Sequence, residues 1–270
     1  MSKYSFLNGS IVEDRFANIS IKDIAIGRGY GIFDYFQVKN HCPVHMVEHL
    51  ERLERSVSAM RLMVDIDREE ITEAVHKLME VNDLPSAGIK IIATGGVSPT
   101  GSSIGQGSLA IMTFPYYVAP PEMIENGVKL LSFEHQRLLP HIKSINYLYA
   151  IYLSDQLEAA GAIEPLYYTS ESVRETSRAN VMAVIDGKLV TCRDKILEGI
   201  TRKTILEKLD FPFELRNITL DELKSADEVF LCGTTKVALG VTHIDGQPVG
   251  DGKVGSTTME VRNQLISLEE

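Results

Sequence analysis

The sequence predicts an α+β fold built on mixed sheet, and three observations carry that prediction. Segments with apolar residues at three- and four-residue spacing alternate with β-branched and aromatic runs, yet without the steady strand–helix rhythm of a doubly wound sheet. The length, 270 residues, lies where single cores begin to divide, so one large or two modest domains are expected. The proline-punctuated stretch Pro115 to Pro121 is extended in character and is the best linker candidate in the chain.

Taken in order, Tyr4 to Leu7 and Ile11 to Val12 read as strands joined around Asn8-Gly9, a hairpin signal. Ile32 to Val38 has strand composition, and Pro43 to Met46 returns. Leu50, Leu53, Val57 and Met60 then mark one face of a helix. Asp67 can cap a second helix with Glu70 reaching back, and Ile71, Val75 and Leu78 form its apolar face. Strands at Ile89 to Ala93 and Leu109 to Phe114 complete this part. Beyond the linker come a strand at Val128 to Phe133, a helix from about Asn146 to Ala159 and a strand at Pro165 to Thr169. Asn180 to Ile185 turns at Asp186-Gly187 into Lys188 to Thr191. Arg202 to Leu209 reads as a helix, Thr219 and Glu222 open a short one, Glu228 to Cys232 is a strand, and a helix near Thr257 to Leu268 follows.

Composition narrows the function. With 37 acidic against 27 basic residues the formal net charge is −10, which argues against a nucleic-acid groove and fits an enzyme acting on small molecules. Met1 to Asn18 does not read as a signal peptide, and no run approaches the roughly 18 apolar residues of a membrane span. Cys42, Cys192 and Cys232 are odd in number and far apart, as reduced cytoplasmic thiols are.

Several motifs invite chemistry and some mislead. Gly27, Gly29 and Gly31 are followed by strand residues where a dinucleotide fingerprint needs a helix. His41, His45 and His49 have helical spacing, but Pro43 intervenes, so they do not share a face and no metal site is expected. Arg52 follows Glu48 by four residues, the spacing of a solvated ion pair. Lys143 is more informative. Flanked by Ile142 and Ile145, its amine can lose a proton more easily and become a nucleophile. Val173 to Asn180 sets a carboxylate, two hydroxyls and an arginine before a buried-type strand, and Glu198 to Arg202 enters a helix whose amides suit a phosphate. Leu231 to Thr235 ends a strand in two hydroxyls.

Together these pieces resemble the class IV aminotransferases, the fold-type IV pyridoxal phosphate enzymes. The group includes D-amino-acid and branched-chain aminotransferases and aminodeoxychorismate lyases. The matching motifs run in family order: Gly31-Ile-Phe-Asp34, Glu48 to Leu53, Lys143-Ser-Ile-Asn146, Arg174 to Asn180, Gly199 to Arg202 and Gly233-Thr234. The resemblance implies a two-domain architecture. Residues 1–115 would form a small N-terminal α/β domain, 116–122 a linker, and 123–270 a larger mixed-sheet domain carrying the Schiff-base lysine. It implies that Lys143 holds pyridoxal 5'-phosphate and moves the proton, while Glu175 pairs with the pyridine nitrogen and Tyr147 with the ring hydroxyl. Arg52, the Ile200 and Thr201 amides and the Thr234 hydroxyl would hold the phosphate, with Ser177 and Asn180 completing the cofactor set. It also implies a homodimer.

Departures from the resemblance bear on substrate. Arg28 stands where the branched-chain enzymes carry a tyrosine, and Lys90 where many have an arginine. The loop Gly95 to Thr100 lacks the arginine and histidine of the well-known bacterial D-amino-acid enzymes. Arg28 and Arg178 are expected to bind substrate carboxylates instead, with Phe33, Lys90 and Thr235 as further substrate contacts. A transaminase for D-amino acids with 2-oxoglutarate or pyruvate is the leading reading. A branched-chain L-amino-acid transaminase and an aminodeoxychorismate lyase are the alternatives, and a cofactor-free binding module is disfavoured by the presence of Lys143 and Glu175.

Overall fold

The computed structural model describes residues 3–269. They group into two compact units, one running to Tyr117 and including Ile142–Asn146, the other formed by Val118–His141 and the chain from Tyr147 onward. Lys143 therefore packs with the first unit, whereas the sequence reading put it in the C-terminal part.

In the first unit β1 (Tyr4–Leu7) and β2 (Ser10–Glu13) form the expected hairpin, with Asn8 and Gly9 both at positive φ as a tight two-residue turn requires. A short helix α1 (Ile24–Arg28) follows, capped by the Asp23 carboxylate and closed by Gly29 in the left-handed conformation. Arg28 thus ends a helix and does not sit on a strand. Next come β3 (Gly31–Lys39), the two-residue β4 (Cys42–Pro43), α2 (Met46–Ala59), α3 (Arg68–Val81), β5 (Ala87–Thr94) and β6 (Leu109–Pro115). Met46 begins α2, so the strand expected over Pro43 to Met46 stops at Pro43. Asp67 caps α3 by accepting from the Glu69 and Glu70 amides.

The six strands order as β2-β1-β6-β5-β3-β4, every pair antiparallel. Strand alternation in β3 sends Ile32, Asp34, Phe36 and Val38 one way and Phe33 and Tyr35 the other. Ile32, Phe36, Ile89, Ile91 and Ile111 form one core with Leu50 and Leu53 of α2 and Ile71, Val75 and Leu78 of α3. Ile142 joins this core. Lys143 and Ile145 bond in strand fashion to β3: the Phe33 amide donates to the Lys143 carbonyl at 2.9 Å and the Ile145 amide to the Gly31 carbonyl at 3.1 Å.

The second unit opens with α4 (Pro121–Asn126), where Pro121 occupies the first turn that tolerates proline, so the extended stretch ends sooner than its composition suggests. β7 (Val128–Glu134), α5 (Leu148–Tyr152), α6 (Ser154–Ala160), β8 (Glu164–Tyr168), β9 (Val173–Thr176), β10 (Asn180–Ile185) and β11 (Lys188–Thr191) follow. The single helix expected over 146–159 is broken at Leu153, and beyond the break Leu153 and Leu157 bury against Tyr167. The remaining elements are α7 (Ile200–Lys208), β12 (Phe213–Leu215), α8 (Leu220–Lys224), β13 (Glu228–Gly233), β14 (Val237–Ile244), β15 (Gln247–Pro248) and α9 (Ser256–Leu268).

The sheet is mixed, with order β12-β11-β10-β13-β14-β7-β8-β9 and β15 paired to β14. β7 runs parallel to both β14 and β8. β9 also pairs back to β10 through Glu175 and Asn180, so the strand path returns on itself beside those two residues. One core lies under β7, β13 and β14 with Leu166 and Leu223, and a second joins α7 and α9 to Met182 and Phe230. Among the described residues no helix is long and apolar enough to cross a membrane.

Candidate active site

In the first unit, Lys143 is half-buried, and the backbone bonds to β3 fix its Cα. Its Nζ lies 4.7 Å from the centre of the Phe33 ring, and the Nζ of Lys90, from the neighbouring strand, lies 5.0 Å from the same ring. An aromatic face attracts a cation, so the ring locates both amines. Burial lowers the Lys90 pKa. Phe33, Lys90 and Lys143 are thus brought together. Arg28 is exposed at the end of α1, donating to the Gly27 carbonyl at 3.3 Å.

On the opposite face of β3, the Arg52 guanidinium grips the Asp34 carboxylate through Nε at 2.9 Å and Nη2 at 2.8 Å. The side chain turns into the core, and not onto the solvated surface that helical spacing with Glu48 suggests. His49 Nδ1 approaches the same Asp34 Oδ1 at 2.7 Å. Burial alone would raise the Asp34 pKa, but Arg52 and His49 outweigh it and hold the carboxyl far below its ordinary range. Burial lowers the His49 pKa and prevails over the attraction of Asp34, so the imidazole is neutral near pH 7.

In the second unit, Glu175 is buried on β9 and accepts from several donors. Arg137 Nη1 bonds its Oε1 at 2.7 Å, while the Leu197 amide at 3.0 Å and Asn180 Nδ2 at 3.5 Å reach Oε2. Asn180 also donates to the Leu197 carbonyl at 2.9 Å, tying the carboxylate to the approach of α7. Tyr147 feels the charge of both Arg137 and Glu175, and burial pushes its pKa up to about 12, so the phenol keeps its proton through neutral pH. Arg137 gave no sequence signal, since it stands in irregular chain and belongs to none of the motifs.

Gly199 caps α7 without a side-chain bond, leaving the first-turn amides of Ile200 and Thr201 with no acceptor inside the helix. A Cβ at this position would collide with the Asn180 side-chain oxygen, which would have to shift. Arg202 is instead structural, donating to the Thr191 hydroxyl at 3.2 Å and the Cys192 carbonyl at 2.8 Å. Thr234 and Thr235 lie half-buried in the turn from β13 to β14. The next residue, Lys236, pairs at 2.5 Å with Glu164, a fully buried carboxylate that sequence reading missed. Glu164 also accepts from Arg178 Nε at 3.1 Å, the Ser177 hydroxyl at 3.3 Å and the Thr176 hydroxyl at 2.6 Å. Burial raises its pKa, but Lys236 and Arg178 prevail and keep it below the ordinary value. Ser177 and Arg178 are therefore held by Glu164, with most of the Arg178 side chain exposed.

Each unit carries groups of the chemistry that pyridoxal phosphate requires: the first a half-buried amine, the second a buried carboxylate, a protonated phenol and an uncapped helix N-terminus. Comparison with known proteins agrees. The chain is 35% identical over 266 residues to a D-alanine aminotransferase of Staphylococcus haemolyticus, covering 95% of this chain and 94% of that protein. It is 29% identical to the D-alanine aminotransferase of Bacillus licheniformis, covering 96% and 94%. Its fold matches the Escherichia coli branched-chain amino acid aminotransferase with a TM-score of 0.87 at 24% identity, covering all of this chain and 95% of that one. The branched-chain aminotransferase of Thermoproteus uzoniensis with norvaline gives 0.89 at 26%, covering 99% and 95%. Residues 31–244 match the amino-transferase class IV family, so the chain belongs to that family and is a pyridoxal-phosphate-dependent transaminase.

Proposed function

We propose that this transaminase moves the amino group of a D-amino acid, D-alanine in the first place, to 2-oxoglutarate, with pyruvate as the acceptor in the reverse direction. The observation that carries the reading is the 35% identity to a D-alanine aminotransferase over nearly the full length of both chains. Pyridoxal phosphate, when bound, supplies an aldehyde carbon that accepts the amino group and a pyridine ring that withdraws electrons from the substrate Cα. The rest falls to the protein. Lys143 would hold the cofactor and carry the proton between the substrate Cα and the cofactor carbon. Glu175 would keep a proton on the ring nitrogen, and the Tyr147 phenol would donate to the ring hydroxyl. Arg52, the Ile200 and Thr201 amides and the Thr234 hydroxyl would hold the phosphate, with Ser177 and Asn180 beside them. Phe33, Lys90, Arg28, Arg178 and Thr235 would meet the substrate.

The test is to incubate the purified enzyme with 2-oxoglutarate and single amino acids, then measure the keto acid formed and the hand of the glutamate by chiral chromatography. D-alanine is expected to give pyruvate and D-glutamate. Turnover of L-leucine or L-valine to L-glutamate would assign the branched-chain reaction instead. Loss of pyruvate from aminodeoxychorismate without transamination would assign the lyase.

The enzyme is also read as a cytoplasmic homodimer. Its three cysteines are unpaired, as a reducing compartment keeps them. Helix α5 (sequence LYAIY) buries none of its residues in the single chain, and Leu148, Ile151 and Tyr152 are exposed there. Tyr149 packs inward against Tyr167, and an apolar helix face left exposed in this way is the mark of an association surface. Changing Leu148→Glu together with Ile151→Glu is expected to halve the mass seen by light scattering, and an unchanged mass would remove α5 from the interface.

A further inference from the structure

The trio Asp34, His49 and Arg52 is a charged cluster set among Phe36, Leu50 and Leu53 in the first unit's core. A buried ion pair is weak evidence of stabilisation. Replacing a buried ion pair by apolar side chains of like volume is often neutral or stabilising, because both charges have left water. The cluster does fix geometry. Asp34 binds Nε and Nη2 of one guanidinium edge, which sets both the direction and the plane of the Arg52 fork. His49 in turn bonds the Asp34 Oδ1, so the carboxylate cannot rotate about its own bond without losing a partner. An ionised carboxylate only accepts, hence Nδ1 carries the His49 proton. His49 and Arg52 stand three residues apart on α2, and the His49 ring packs 5.5 Å from that of Phe36. Every member of the chain of contacts is therefore held by the next.

We propose that Asp34 and His49 are positioning residues that aim the Arg52 guanidinium at the phosphate of the cofactor. The proposal rests on Arg52 being a phosphate ligand, as read above. A lysine could not take this place, since a point charge has no plane to fix.

The experiment compares binding of pyridoxal 5'-phosphate and of pyridoxal, which lacks the phosphate, to the full chain freed of cofactor, by fluorescence titration. The variants are Arg52→Ala, Asp34→Asn, His49→Leu and His49→Asn, whose amide nitrogen replaces Nδ1 as donor. Arg52→Ala is expected to abolish the preference for the phosphorylated form. Asp34→Asn and His49→Leu should each reduce it about tenfold or more, the scale seen when the group behind a ligand is removed. His49→Asn should restore most of it, and pyridoxal affinity should stay constant throughout.

If Arg52→Ala loses the preference but Asp34→Asn and His49→Leu keep it, positioning is refuted while Arg52 remains a phosphate ligand. A preference intact in Arg52→Ala overturns the phosphate assignment itself. Parallel loss of pyridoxal affinity would show general damage to the unit and also refute the proposal. Should Asp34→Asn fail to fold, the two His49 variants decide.

Discussion

Replacing Lys143 with alanine is expected to lower kcat by roughly 10⁴-fold, the upper end of what a positioned proton-transfer group contributes. The fold should be preserved. Lys143 is only half-buried, and its link to β3 runs through backbone groups, the Lys143 carbonyl and the Ile145 amide, which alanine retains. What disappears is the amine held over the Phe33 ring, and Lys90 cannot stand in because its own strand fixes it on β5. The measurement is single-turnover kinetics with D-alanine beside a thermal melt. A drop of less than about tenfold would remove Lys143 from the proton path.

Changing Glu175 to glutamine should act on stability and activity by separable routes. The amide oxygen can still accept from Arg137 or from the Leu197 amide, but the negative charge is gone and Arg137, mostly buried, loses its counter-ion. Breaking a buried pair from one side costs about 3 kcal/mol. Activity should fall roughly 10²- to 10³-fold, because a neutral amide does not keep a proton on a ring nitrogen. Adding Arg137→Met removes the stranded cation, so the double variant should recover much of the urea midpoint and none of the activity. Recovery of both would make Glu175 a structural residue alone.

Residues readable from local rules were read well. The Asn8-Gly9 hairpin, the Asp67 cap and the apolar face of α3 all follow from neighbours in sequence. β14 escaped because it lies between β13 and β7 with nearly every residue buried, so it has no polar–apolar alternation to mark it. Arg52 shows the opposite failure. Helical spacing offered a solvated pair with Glu48, but nothing local reports that the side chain is buried and bound through two nitrogens to Asp34 on β3. His49 was read only as sharing no metal-binding face with His41 and His45, and its burial against Asp34 was not legible. The motif residues of the candidate site were legible by type and order, while Arg137 and Glu164 were not. Their partners lie many residues away, Arg137 to Glu175 and Glu164 to Lys236, and no local pattern reports such pairings.

The excursion of Ile142–Asn146 into the first unit also bears on how the chain reaches its native state. The bridge between Ile32 and Ser144 spans about 110 residues, so the β3 edge that receives Lys143 stays open until much of the intervening polypeptide exists. A fragment ending at Tyr117 lacks Ile142 from its core and should fold less stably than the same segment in the full chain. Closure across so long a loop is slow relative to local hairpins and helices. Lys143 is thereby placed over Phe33 by long-range contacts, and not by its own neighbours in sequence.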